Sequence, residues 1–184
     1  MKQAIFLDRD GTLIEDRGHI KSPKDVVFYK NTFEALSKLQ NSYELFIITN
    51  QSGIAKGLIN VSDVEAVNAH IIGILKEQGI RITNTYVCPH KREDACQCIK
   101  PKRYFLEKAA AMYNIDLRNS FSIGDHPCDF YLAENAGGRG IYLLTGHGSK
   151  HKGELPQNAV IVSEINEAAE KILFYHLGVT SWNL

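Results

Sequence analysis

The chain has 184 residues, 44% of them hydrophobic, and its 21 basic and 21 acidic side chains cancel to a formal net charge of zero. That length supports one domain with a sizeable core, and a balanced charge without long runs of one sign gives no support for a nucleic-acid or anionic-membrane partner. The N-terminus is charged by Asp8, too early for a secretory signal, and no apolar run approaches a membrane span, so a cytoplasmic protein is expected. A monomer is expected as well.

The apolar run Ala4-Ile5-Phe6-Leu7 reads as a buried parallel strand that ends in the turn Asp8-Arg9-Asp10-Gly11-Thr12. In an open α/β sheet, ligands bind at the carboxyl ends of the strands. If the extended chain continues through Asp10, Asp8 and Asp10 face one site. Carboxylates that close are costly unless a cation sits between them or one takes up a proton. Both outcomes suit phosphoryl transfer, with Mg2+ held by one acid while the other moves protons. A calcium loop is disfavoured, since the closing Glu and the entering helix are missing; a plain acidic turn is the bland alternative.

A polar loop over residues 15–30 follows, carrying Asp16, Arg17, Gly18, His19 and Lys21. It is placed to lie over the site and touch substrate, or to be an ordinary solvated loop. Asn31 and Glu34 predict a capping box for a helix ending near Asn41, with Phe33, Leu36 and Leu39 on its apolar side. Leu45-Phe46-Ile47-Ile48 predicts a second buried strand ending in Thr49-Asn50-Gln51-Ser52-Gly53, where a hydroxyl, an amide and free backbone N–H groups make a receptor for phosphate oxygens. Ser62 and Glu65 predict the cap of the next helix, whose buried side carries Val64, Val67, Ile71 and Ile74 or Leu75.

A short strand, Thr85-Tyr86-Val87, leads into Cys88-Pro89-His90 and then Cys96-Gln97-Cys98. Three thiols and an imidazole in this spacing match a closed tetrahedral zinc site of structural type. The competing reading, a disulfide with a spare thiol, lacks a secretory setting. Lys100-Pro101 follows directly, so the lysine is held between the metal loop and a proline, where its ammonium would neutralise a transferring phosphoryl group. A helix is predicted over residues 102–113. The next strand, Phe121-Ser122-Ile123, ends in Gly124-Asp125-His126-Pro127-Cys128-Asp129, where Asp125 is a natural further Mg2+ ligand and Cys128 a bystander thiol. A helix over residues 127–136, a strand over 139–144, a loop Thr145-Gly146-His147-Gly148, a last strand over 159–162 and a terminal helix complete the order. Leu173, Phe174, Tyr175 and Trp182 are expected to pack on the body.

Together these stations resemble the haloacid dehalogenase (HAD) superfamily of phosphatases over nearly the whole chain, through Asp-x-Asp-Gly-Thr at residues 8–12, Thr49-Asn50, Lys100, and Gly124-Asp125 with Asp129. The zinc loop directly before the motif lysine is similar to the branch that holds heptose bisphosphate phosphatases and histidinol-phosphatases. The string from Thr49 to Gly57 and the late Leu144-Thr145-Gly146 are closer to the heptose enzymes. The resemblance implies an α/β Rossmann-like HAD fold over residues 1–184: a parallel sheet with helices on both faces, a zinc-stapled loop at 88–98 and no large cap domain. It implies a Mg2+-dependent phosphomonoesterase acting on a small phosphorylated sugar, most simply a heptose bisphosphate of lipopolysaccharide biosynthesis.

By the same resemblance, Asp8 is the nucleophile and Asp10 the acid and base. Asp8, the Asp10 carbonyl and Asp125 hold Mg2+, and Thr49 and Lys100 hold the phosphoryl oxygens. Asp16, Arg17, Gly18, His19, Asn50, Gln51 and Ser52 contact substrate, and Cys88, His90, Cys96 and Cys98 hold Zn2+. Two positions depart from the family pattern. Ile99 stands where an arginine is usual, and His126 where the heptose enzymes commonly carry lysine; both changes bear on substrate choice rather than on the chemical step. The rivals are histidinol phosphate or another sugar phosphate as substrate and, from a different class, a non-catalytic zinc-stabilised binding module, against which the set Asp8, Asp10, Lys100 and Asp125 argues.

Overall fold

The structure, a computed structural model, describes residues 1–176. Its frame is a sheet of six strands in the order β3-β2-β1-β4-β5-β6, every pair parallel. The strands are β1 (Ala4–Leu7), β2 (Glu44–Asn50), β3 (Ile82–Cys88), β4 (Phe121–Gly124), β5 (Arg139–Leu143) and β6 (Val160–Val162). Parallel strands need crossovers that cover both sheet faces, and so they read as continuous apolar runs. The crossovers here carry α1 (Thr32–Leu39), α2 (Val61–Glu77), α3 (Tyr104–Tyr113), α4 (Pro127–Glu134) and the short α5 (Gly148–His151), and α6 (Ile165–His176) follows the last strand.

Alternation along each strand divides the core into two layers. Ile5, Leu7, Leu45, Ile47, Phe121 and Ile123 face α1, α2 and α6. Ala4, Phe6, Phe46 and Ile48 face α3 and α4, where Phe46 stacks between Phe6 and Tyr86 at centroid distances of 5.3 and 6.3 Å. The strand order reverses between β1 and β4, so their carboxyl ends open a crevice at a topological switch point. The Asp8 N–H donates to the Ile123 carbonyl at 2.9 Å, which stitches the two ends together beside that crevice.

The strands and most helices fall where the apolar runs place them, while several caps do not. Asn31 makes no cap; its Nδ2 donates instead to Glu164, 2.6 Å from both carboxylate oxygens, tying α1 to the start of α6. α2 begins at Val61, and its capping box is Asn60 with Asp63, not Ser62 with Glu65. The Asn60–Asp63 pair has the same three-residue spacing, so the pattern alone did not choose between the two. Leu173 and Tyr175 pack on the core, but Phe174 is 59% exposed because it lies on the outer side of α6, and Trp182 lies outside the described residues. No helix among the described residues is long and apolar enough to cross a membrane.

Candidate active site and cysteine cluster

The site begins with strand ends. Asp8 follows β1, Asp125 follows β4, and Asp129 lies in the first turn of α4; each of the three offers a carboxylate oxygen within 4.8 Å of the other two. The reversal of strand order carries residues more than a hundred positions apart into one cluster.

Lys100 closes the cluster from below. It is buried, its Nζ contacts Asp8, lies 2.6 Å from Asp129 Oδ1, and donates to the Ile48 carbonyl at 2.9 Å. Its backbone N–H donates to Asn50 Oδ1 at 3.2 Å, so the end of β2 fixes where the lysine stands. Burial opposes its charge, but Asp129 and Asp8 outweigh that and hold its pKa above the ordinary range. Asp129 has a second partner, the His126 N–H at 3.0 Å, through the capping box of α4.

The acids carry the cost of their proximity. Burial pushes Asp8 up to about 6 against the pull of Lys100, with Asp129 adding repulsion. Burial also raises Asp125, with Asp8 and Asp129 repelling it further, to about 8. One lysine cannot balance three carboxylates this close together, and a divalent cation on their oxygens would relieve what remains. The donor set therefore suits Mg2+, which takes oxygen ligands and keeps room for water and phosphate.

Asp10 stands apart from that cluster. Its carboxylate is gripped by its own neighbour, Arg9, through Nε to Oδ2 at 2.9 Å and Nη2 to Oδ1 at 3.0 Å. Gln51 Nε2 donates to the same Oδ2 at 2.8 Å and to Thr49 Oγ1, also at 2.8 Å. Thr49 is the penultimate residue of β2, still paired with β3, so the hydroxyl is set by the sheet rather than by a turn. Burial raises the Asp10 pKa, the Arg9 charge opposes it, and the repulsion of Asp8 adds to the rise. Asp10 is thus close enough to sense Asp8 while its carboxylate remains outside the three-acid cluster.

The loop after β5 closes the other side. The His147 N–H donates to Asp125 Oδ2 at 2.6 Å, and Thr145 Oγ1 donates to the Gly11 carbonyl at 2.6 Å. Gly11 and Gly146 both have positive φ, and a Cβ on either would stand 2.2 Å from Asp125 Oδ2. Only glycine allows the two turns to press on that carboxylate.

Of the loop residues expected to meet substrate, Asp16 is joined to His147 Nε2 at 2.9 Å and accepts from the Gly18 N–H at 2.7 Å. His19 lies against Gly53, which ties the loop to the turn after β2. The Ser52 carbonyl accepts from the Lys56 N–H within that turn. Arg17 is spent on Glu15 through two bonds to one carboxylate oxygen at 3.0 and 2.8 Å, and Ile99 packs against the aromatic core layer. The structure therefore does not bring Arg17 or the Ile99 side chain to the carboxylates. Arg9, Asn68, His147 and Tyr29, whose hydroxyl accepts from the Gly146 N–H at 3.2 Å, are polar groups that sequence reasoning missed; Asn68 was visible as a polar residue on the apolar side of α2, where it accepts from Arg9 Nη1 at 2.8 Å.

The second cluster joins Cys88, at the end of β3, with His90, Cys96 and Cys98. The sulfurs lie 3.3 to 3.6 Å apart, and His90 Nδ1 lies 3.3 Å from Cys98 Sγ and 3.8 Å from Cys88 Sγ. A tetrahedron with metal–sulfur bonds of about 2.3 Å has edges of about 3.8 Å, close to this spacing, whereas a disulfide needs about 2.05 Å. Burial pushes the Cys88 thiol up, while hydrogen bonds from Cys88 and Cys98 overcome the slight burial of Cys96 and hold its thiol down. The donors and their spacing suit Zn2+.

Comparison with known proteins gives this geometry a family. A family model described as HAD-hydrolase-like matches residues 97–168. The D-glycero-beta-D-manno-heptose-1,7-bisphosphate 7-phosphatase of Helicobacter pylori strain J99 is 39% identical over 145 residues, 78% of this chain and 83% of its own. The protein of the same name from Vibrio cholerae is 34% identical over 171 residues, 88% of this chain and 92% of its own. Among solved structures, the D,D-heptose 1,7-bisphosphate phosphatase of B. bronchiseptica, complexed with magnesium and phosphate, aligns with a TM-score of 0.86 at 30% identity, covering 95% of this chain and 99% of that one. With that identity sustained over most of both chains and around a shared arrangement of sheet and crevice, the chain belongs to the D-glycero-D-manno-heptose-1,7-bisphosphate 7-phosphatase family of HAD-like hydrolases.

Proposed function

We propose that the protein hydrolyses the 7-phosphate of a D-glycero-D-manno-heptose 1,7-bisphosphate, a step that would serve lipopolysaccharide biosynthesis. The observation that carries this reading is the convergence of Asp8, Asp125 and Asp129 on Lys100, within a family whose relatives bear that name. Mg2+ would be held by Asp8, the Asp10 carbonyl and Asp125, and would neutralise charge on the phosphoryl oxygens.

Asp8 attacks phosphorus, the bond to the sugar oxygen breaks, and an aspartyl phosphate forms on Asp8. Asp10 gives its proton to the departing oxygen. It then takes a proton from the water that attacks phosphorus, releasing inorganic phosphate and restoring the Asp8 carboxylate. Burial favours the protonated Asp10 this first step needs, and Arg9 favours the carboxylate it leaves. Gln51 and Arg9 orient Asp10. Lys100 and Thr49 face the equatorial oxygens, where fixed donors stabilise developing charge. Asp16, Gly18, His19, Asn50, Ser52 and His126 line the approach.

Zn2+ on Cys88, His90, Cys96 and Cys98 holds the loop that ends two residues before Lys100, and so fixes that lysine. Free thiols in such a cluster suit a reducing compartment, the cytoplasm.

The test compares Mg2+-dependent phosphate release from heptose 1,7-bisphosphate, histidinol phosphate and common sugar monophosphates, with Asp8→Asn as the control. A clear kcat/KM preference for the heptose bisphosphate, lost in Asp8→Asn, is expected. Preference for histidinol phosphate, or inertness of the metal-loaded protein towards all of these esters, overturns the reading.

A further inference from the structure

Asn68 breaks the pattern of α2. It lies between Val64 and Ile71 on the side of the helix that also carries Val67 and Leu75, and like them it is buried. A polar group in that place is costly unless it is hydrogen-bonded. Its Oδ1 accepts from Arg9 Nη1 at 2.8 Å, a contact between residues 59 positions apart. Arg9 is itself fully buried, and it passes the contact on to Asp10, with Nε 2.9 Å from Oδ2 and Nη2 3.0 Å from Oδ1. Helix, guanidinium and carboxylate thus form one chain of hydrogen bonds.

Arg9 and Asp10 are neighbours on one turn, so the contact between them fixes neither against the sheet. A guanidinium is a rigid plane, and anchoring one corner of it on a helix orients the other two corners and, through them, the carboxylate. Gln51 Nε2, 2.8 Å from Oδ2, holds the same carboxylate from just beyond β2. Asp10 is therefore located by two references outside its own turn. The reference on α2 is a firm one, because the Asn60–Asp63 capping box closes that helix and Val67, Ile71 and Leu75 pack in the core. Placement of this kind matters for proton transfer, where a displacement of about 1 Å costs about a hundredfold in rate.

We propose that Asn68 is a positioning residue for the acid step: acting through Arg9, it holds the Asp10 carboxyl group where it reaches the departing sugar oxygen. This rests on the phosphatase reading above, in which Asp10 protonates that oxygen. The role has a signature that a purely structural residue lacks. A sugar oxygen needs the proton as its bond to phosphorus breaks, whereas 4-nitrophenolate departs as a stable anion and takes none. Asn68 therefore matters for the sugar ester and not for the aryl ester, although both leave the same aspartyl phosphate on Asp8.

The test measures kcat/KM, which covers the steps up to loss of the leaving group, for heptose 1,7-bisphosphate and 4-nitrophenyl phosphate. The proteins are the metal-loaded wild type, Asn68→Leu, Asn68→Asp, Arg9→Met and the double variant Arg9→Met with Asn68→Leu. Asn68→Leu should lower the value for the heptose bisphosphate about tenfold, through kcat rather than KM, and that for the aryl ester by less than about twofold. Asn68→Asp, which keeps an acceptor oxygen in place, should recover most of the loss. The double variant should lose no more than Arg9→Met alone, since Asn68 acts only through the guanidinium. Misfolding lowers both esters alike, so the ratio between them reads the acid step in whatever fraction is folded, and the double variant leaves no buried guanidinium short of an acceptor. Equal losses on the two esters, no loss on either, or additive losses in the double variant overturn the proposal. A wild type active on another sugar phosphate but inert towards the heptose bisphosphate overturns the substrate reading alone, and the ratio is then taken with that ester; a wild type inert towards every ester overturns both.

Discussion

Arg9 is among the largest fully buried side chains among the described residues, and it stands in sequence between the two acids on which the proposed chemistry depends. Its guanidinium is shared between Asp10 and Asn68, so a residue of α2 reaches the site through a cation in the loop after β1. A buried charge is tolerable only when paired, and removing one partner leaves the other uncompensated at a cost of about 3–5 kcal/mol. Arg9→Met is therefore expected to lower the unfolding free energy by about 3 kcal/mol, measured by urea denaturation. Turnover should fall as well, because Asp10 keeps only Gln51 and Thr49 as partners. Arg9→Lys should recover part of the stability but less of the turnover, since a single ammonium cannot reproduce the two-point grip on Asp10. A variant as stable and active as the wild type would show that the pair is dispensable.

At the scale of elements, strand ends were legible and closures were not. Apolar runs followed by polar turns located β1, β2 and β4, and with them Asp8, Thr49 and Asp125, because a parallel strand buried on both faces must be continuously apolar. Asp129 was visible as part of the family motif but without a role, since its contact with Lys100 depends on how α4 meets the loop after the cysteines. In the loop after β5, Leu144-Thr145-Gly146 was legible as a family resemblance, but its closure on Asp125 was not: Gly146 and His147 act on Asp125 through backbone, and backbone donors leave no trace in residue type. The polar loop over residues 15–30 divides on the same grounds, Asp16 and His19 finding partners across the opening while Arg17 turns to its neighbour Glu15.

The cysteine cluster was the clearest local signal, because its donors lie within eleven residues and needed no tertiary folding to be seen. Cys98→Ser is expected to leave less than one zinc per chain, measured by elemental analysis, and to lower the thermal midpoint. It should also reduce kcat more than it raises KM, since Lys100 is only two residues away and depends on that loop for its place. Full zinc content with unchanged kcat would separate the cluster from the lysine.

For the whole molecule, the crevice at the reversal of strand order stores electrostatic repulsion, and that repulsion sets a pH dependence. Asp125 stands at about 8 and Asp8 at about 6, both above the ordinary 3.8 of an unfolded aspartate. The folded Mg2+-free protein therefore holds protons that the unfolded chain has already shed, and its stability falls as pH rises through those values. Between pH 7 and 9 the His126 imidazole, held below its usual 6.5 by burial, no longer titrates, so Asp125 dominates the slope. With zinc loaded and Mg2+ removed, the thermal midpoint should fall across that interval by roughly 2–4 °C, equivalent to about 1 kcal/mol. Mg2+ binds the ionised acids and must displace the same protons, so its affinity should strengthen as pH rises and its stabilising effect should be larger at pH 9 than at pH 7. Asp125→Asn removes the titrating group and should flatten both trends while leaving the zinc cluster filled. Calorimetric unfolding of the two proteins at pH 7, 8 and 9, with and without Mg2+, measures all of this; a wild-type midpoint that neither falls with pH nor responds more to Mg2+ at the higher pH would mean that the three carboxylates do not share their charge as their spacing requires.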